Sequence, residues 1–164
     1  MKDREPISLH EVLAQNAEYI LDQLLTVLLN AEGTTYHQMS SEVLQRRIQQ
    51  LFDAFWQTVA QNNPEPMVNY IWKTSRERGN EGFTVADLQT VALCMRDAML
   101  TVVDEVYADA PVQRLHHSRR IEELILSGIG AGVRGFVDGR EALISRQFEA
   151  LQRSQKPKGY KDQE

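Results

Sequence analysis

The sequence predicts an all-α domain of about five helices that ends in a long C-terminal helix. Three observations lead there. Apolar residues recur at three- and four-residue steps over successive stretches, the spacing of a helix face. Those stretches begin at Ser or Thr residues placed as helix caps. Only five prolines and nine glycines interrupt 164 residues.

The stretch Thr84–Ala108 is the expected central helix. Leu88, Val91, Ala92, Met95, Met99, Val102, Val103 and Val106 share one face. Cys94 and Ala98 widen that face past half the circumference, so the helix should be covered on several sides. Thr84 with Asp87 three residues later marks its start. Pro111 stops the run soon after Tyr107.

The other helices follow in order. Residues 1–7 are a charged lead-in. Ser8 and Glu11 form a capping box, with Ile7 placed to staple onto Val12. One helix is expected from Ser8 to about Ala31, burying Val12, Leu13, Tyr19, Ile20, Leu24, Val27 and Leu28. Ser40 or Ser41 caps a second helix whose stripe is Leu44, Ile48, Leu51, Phe52, Phe55 and Val59. Arg46, Arg47, Gln49 and Gln50 should face away. Asn62-Asn63-Pro64 ends it. A shorter helix is expected over Glu65–Arg78, with Met67, Tyr70, Ile71 and Trp72 inward. Gly79–Gly82 is a turn, and Phe83 is placed to staple the central helix.

After Pro111 a long helical stretch is expected over about 112–153. Gly128, Gly132, Gly135 and Gly139 recur in it at steps of four and three, with Ala131 beside them. Each glycine costs up to about 1 kcal/mol of helix stability against alanine. Close approach of another helix to the face of Gly128, Gly132 and Gly135 is the expected offset, within one chain or across a dimer. Leu143, Ile144, Phe148 and Leu151 continue as an amphipathic helix over Glu141–Arg153. Residues 154–164 are polar and read as a linker or frayed end.

Composition narrows the function classes. A net charge of −5 disfavours general nucleic-acid binding. A single cysteine allows no internal disulfide. The N-terminus has no apolar segment after its charges, and no run reaches the roughly 18–20 apolar residues of a membrane span. A cytoplasmic location, away from membranes, is expected.

Candidate chemistry is sparse. His116 and His117 point about 100° apart on a helix and cannot chelate one metal from one face, so no metal site is assigned. His10 and His37 lie at a helix start and in a loop, and the helices that would wall a haem pocket carry no histidine. Cys94 reads as a buried apolar side chain, with no histidine within a turn to activate it. The adjacent acids Asp104/Glu105 and Glu122/Glu123 are expected on solvated faces. No catalytic residue is assigned and no enzyme is expected.

Two resemblances add to this. Phe52 and Phe55 on the second helix, Arg76 or Arg78, then Gly82, Phe83, Thr84, Asp87, Leu88 and the step Arg96-Asp97-Ala98 resemble the N-terminal domain of RsbR-type stressosome proteins, the RsbT co-antagonists. The resemblance runs over about residues 10–152. It implies a globin-like helical bundle without cofactor, a homodimer, and a sensory role in bacterial stress signalling. It also implies that the last helix leads to a STAS or other signalling domain or partner protein. Separately, Cys94, Arg96 and Asp97 have the C-x-R-D form of phycobiliproteins, in which the cysteine carries a bilin and the Arg and Asp hold it. Here AMLTVVDEVYA follows, without the aromatic residues of that family. A haem- or bilin-binding relative, and an adaptor docking through Trp56, Trp72 or the last helix, are the alternatives to the sensor.

Overall fold

The computed structural model describes residues 7–155. Six α-helices and two 3-10 turns occur among them, with no strand. They are α1 (Leu9–Gln15), α2 (Ala17–Leu29), α3 (Ser41–Gln61), α4 (Glu65–Arg78), α5 (Val85–Val106) and α6 (Pro111–Gln155). The 3-10 turns are Thr35–Gln38 and Gly79–Glu81. Of the expected lead-in over 1–7 and tail over 154–164, residues 1–6 and 156–164 lie outside the described residues.

The first expected helix is two. At Asn16 the backbone leaves helical geometry, with φ −111° and ψ 13°. The Asn16 side-chain amide donates to the Val12 carbonyl at 2.8 Å. That bond offers the backbone an alternative to continuing the ladder, as asparagine often does. Helix α2 buries Ile20, Leu24 and Leu28, and Tyr19 and Val27 lie off that face, 42% and 46% exposed, against the expectation that both are buried.

The caps form where the sequence places them. The Ser8 N–H donates to Glu11 Oε2 at 2.9 Å. Ile7 is exposed rather than packed as a staple, and its carbonyl accepts the Tyr107 hydroxyl. Ser40 caps α3, and Asn62 ends it in the left-handed region at φ 49°. Pro111 is the first residue of α6, where its missing N–H costs nothing. Helix α6 then runs unbroken for 45 residues, so Ser154 and Gln155, expected in the tail, are helical.

Helix α5 is the centre of the bundle, touching α1 and α2 on one side and α6 on another. Helices α4 and α6 lie along each other, and α3 packs on α1, α2 and α4. Phe55, Leu13, Leu24, Met95, Met99 and Leu124 are among the fully buried side chains. Each contributes about 1.5–3 kcal/mol by leaving water. Val106, expected on the buried face of α5, is 42% exposed because the helix ends there. No helix among the described residues is long and apolar enough to cross a membrane.

Candidate signal-relay site

The glycines of α6 mark where two helix backbones come closest. A Cβ on Gly128 would lie 2.9 Å from Ile71 Cδ1, and one on Gly132 would overlap the Leu88 methyls. On Gly135 it would strike the Trp72 carbonyl oxygen, and on Gly139 it would lie 2.6 Å from the Arg76 carbonyl oxygen. Gly128 and Gly132 therefore meet side-chain tips of α4 and α5, while Gly135 and Gly139 meet the backbone of α4. Side chains can shift; backbone cannot without parting the helices. Gly130 meets only its own helix neighbour, Arg134 Nη1, at 3.7 Å.

Polar contacts tie the same two helices. Trp72 donates its indole N–H to Asp138 Oδ2 at 2.7 Å. The Arg76 guanidinium lies 5.4 Å from the Trp72 ring centroid, a cation–π distance. At the start of α4, the buried Thr58 hydroxyl accepts the Met67 N–H at 3.0 Å. Trp56 donates to the His10 carbonyl at 3.0 Å. Both indole N–H groups are thus engaged within the chain.

The corner between α4 and α5 is built around Phe83. Gly82 turns the chain at φ 88°, a conformation costly for other residues. Phe83 is then buried, edge-on to Tyr36 at 5.3 Å between centroids. The guanidinium groups of Arg47 and Arg78 lie 5.4 Å and 5.9 Å from its ring centroid. Arg47, expected to face away, is drawn in by that ring and by Glu81, which it meets at 2.8 Å. Burial pushes the Tyr36 hydroxyl well above its ordinary pKa, and the nearby Arg78 offsets only part of this.

Asp87 locks this corner to the loop after α2. It caps α5 by accepting from the Thr84 N–H at 2.8 Å. It also accepts from the Thr35 N–H and hydroxyl, each at 2.9 Å. Burial alone would raise its pKa; the hydrogen bonds from Thr35 and Thr84 outweigh burial and hold it below the ordinary value. Its cap role is local and readable from sequence, but its bridge to Thr35, 52 residues away, is not.

Between this corner and α6 lies an open cleft of about 330 Å³. Phe83, Val85, Phe136 and Leu143 form its apolar sides, and Asn80 and Arg140 its polar edge. Phe83 and Phe136 also line a smaller pocket of about 30 Å³, with Tyr36, Leu51, Ile71 and Leu88 among its other walls. A further pocket of about 20 Å³ is lined by Met67, Met95 and Gly128 among others.

Beyond the cleft, every residue from Leu143 to Ser154 is exposed. Val137, Ile144, Phe148 and Leu151 are 50%, 56%, 61% and 60% exposed and follow at steps of seven, four and three. That is heptad spacing, an apolar stripe without a partner among the described residues.

The remaining candidates stand apart from this region. Cys94 is half-buried on α5; burial, then the Asp97 charge, pushes its thiol pKa up. Arg96 and Asp97 bond each other at 2.8 Å on the edge of α5. His116 is exposed, and His117 is half-buried with its ring 4.8 Å from that of Tyr107. His37 Nδ1 lies 2.6 Å from the Leu29 carbonyl oxygen. No group of three or more His, Cys, Asp or Glu is placed to hold a metal ion among the described residues.

The comparisons with known proteins point to one family. The family model described as the RsbT co-antagonist protein rsbRD N-terminal domain matches residues 18–151, well over half of the chain. No curated protein and no solved structure matches it.

Proposed function

We propose that this chain, which belongs to the RsbT co-antagonist protein rsbRD N-terminal domain family, is a non-enzymatic sensory and dimerisation domain of bacterial stress signalling. In this reading it is a globin-like bundle acting in the cytoplasm. It relays a ligand or partner signal through α6 to a partner protein or an output domain. The observation that carries the proposal is the division of α6. Its middle is set into the bundle at Gly128, Gly132, Gly135 and Gly139, while its last turns are exposed and carry an unpaired apolar stripe.

The stripe fits a second copy of itself. Val137, Ile144 and Leu151 fall at one heptad position and Phe148 at the complementary one, so two α6 ends can pair side by side. A signal acts by favouring one of two packings of α6 on α4 and α5. It shifts that balance only by its difference in affinity for the two.

Sedimentation of the wild type and of the double variant Phe148→Asp, Leu151→Asp tests the dimer. A dimer is expected for the wild type and a monomer of unchanged helix content for the variant. A wild type that stays monomeric at high concentration would reject the dimer. Hydrogen exchange then tests the relay: slower exchange at Leu143–Ser154 in the dimer supports it, and equal exchange in both proteins counts against it.

A further inference from the structure

We propose that the cleft between the α4–α5 corner and α6 is a binding site for a small planar aromatic carboxylate. This rests on the sensor reading and supplies it with an input site. The cleft's volume of about 330 Å³ falls at the lower end of the range for small-molecule sites, about 300–1,000 Å³.

Its lining favours an aromatic body. The Phe136 ring packs over Gly79, with Cδ1 3.3 Å from where a Cβ would be, and so is seated against the α4–α5 turn. The Phe83 and Phe136 rings both line the cleft, and aromatic rings pair best with another ring, stacked offset or edge-on. Val85 and Leu143 close the apolar sides.

Its charge selects an anion. Arg140 and Asn80 stand at the polar edge, and both donate hydrogen bonds that a carboxylate accepts. Of the nearby acids, Glu81 is paired with Arg47, while Asp138 and Asp87 are held in place by hydrogen bonds from Trp72 and from Thr35 and Thr84. Arg140 forms no ion pair among the described residues.

The position gives the ligand something to move. One side of the cleft is the α4–α5 turn; the other is Phe136, Gly139, Arg140 and Leu143, one face of α6. Phe83 and Phe136 also line the smaller pocket among α4, α5 and α6, so a ring pressed on them bears on the packing of those helices.

Calorimetric titration of the full chain with 2-naphthoate, and with the neutral 2-naphthalenemethanol, tests this. Saturable binding of one naphthoate per chain is expected, about tenfold tighter than the alcohol, the margin of one charge-assisted hydrogen bond. Arg140→Gln should bring naphthoate close to the alcohol, and Leu143→Trp, which fills the cleft, should abolish binding of both. Both positions are exposed, and circular dichroism checks that the variants fold. Absence of saturable binding, equal affinity for acid and alcohol, or undiminished binding by Leu143→Trp would each overturn the site. The sedimentation and exchange results on the α6 stripe do not depend on naphthoate, so failure here leaves the sensor reading to its own test.

Discussion

Trp72 and Asp138 are joined by a 2.7 Å hydrogen bond that holds the middle of α4 to the segment of α6 that borders the cleft. The acceptor is a carboxylate, so this bond is of the stronger, charge-assisted kind. Both residues are half-buried, which moderates its contribution. Trp72→Phe is expected to lower stability by about 1–2 kcal/mol in urea unfolding. Hydrogen exchange near Gly135–Gly139 should rise with it. Asp138→Asn keeps an acceptor and should cost less; an equal loss in both variants would show that the charge, not the bond, matters.

Two glycines of α6 are expected to respond to alanine with opposite signs. In an open helix Gly→Ala stabilises by up to about 1 kcal/mol. Gly130 has that freedom, since a Cβ there meets only Arg134 Nη1 at 3.7 Å. Gly130→Ala should therefore raise the melting temperature slightly. A Cβ on Gly135 strikes the Trp72 carbonyl, so Gly135→Ala should cost about 2–3 kcal/mol through forced separation of α4 and α6. In a domain of this size that is a fall of roughly 5–10 °C. Similar melts for the two variants would remove the close approach from the account.

Asp87 makes the fold sensitive to acid. Its folded pKa lies below the ordinary value of 3.8, so the native state binds its proton less readily than the unfolded chain. The stability it contributes is whole above about pH 5 and is lost as pH falls through its folded pKa. Asp87→Ala should cost about 2–3 kcal/mol at pH 7, from the lost cap and the unpaired Thr35 and Thr84 donors. The difference between wild type and variant should shrink in acid. A difference independent of pH between 7 and 3 would show that the carboxylate charge contributes nothing.

Cys94 should alkylate slowly. Burial and then the Asp97 charge raise its thiol pKa, which lowers the thiolate fraction at neutral pH. Reaction with iodoacetamide at pH 8 is expected to be at least about tenfold slower in the native protein than in denaturant. Asp97→Asn should speed the native reaction. Equal native and denatured rates would mean that the half-buried position offers no protection.

What could be read from sequence was what is decided locally. The caps at Ser8, Ser40 and Thr84, and the stripe of α3, depend on residues within a few positions of one another. The break at Asn16 was not legible, because both sides carry the same helical pattern and the deciding bond is one side-chain amide. Arg47 looked like a solvated residue because Phe83 and Glu81, which draw it inward, are more than thirty positions away. The spacing of Gly128, Gly132 and Gly135 marked a bare face on α6. That α4 and Leu88 of α5 occupy that face within the same chain depends on how the chain turns at Gly82, which no periodicity encodes. The cleft is likewise assembled from two distant segments, so Phe83 was legible only as a staple of the central helix and Arg140 did not stand out.

The continuity of α6 has a mechanical consequence. From Gly139, pressed on the Arg76 carbonyl, to Gln155 the helix extends about 24 Å at 1.5 Å per residue. A stiff rod of that length is a lever with its fulcrum at the glycine. A tilt of about 5° at Gly139, well under an ångström of motion beside the cleft, carries the far tip about 2 Å. In the proposed pairing of two α6 ends, that would bring Phe148 and Leu151 into or out of register with the second copy.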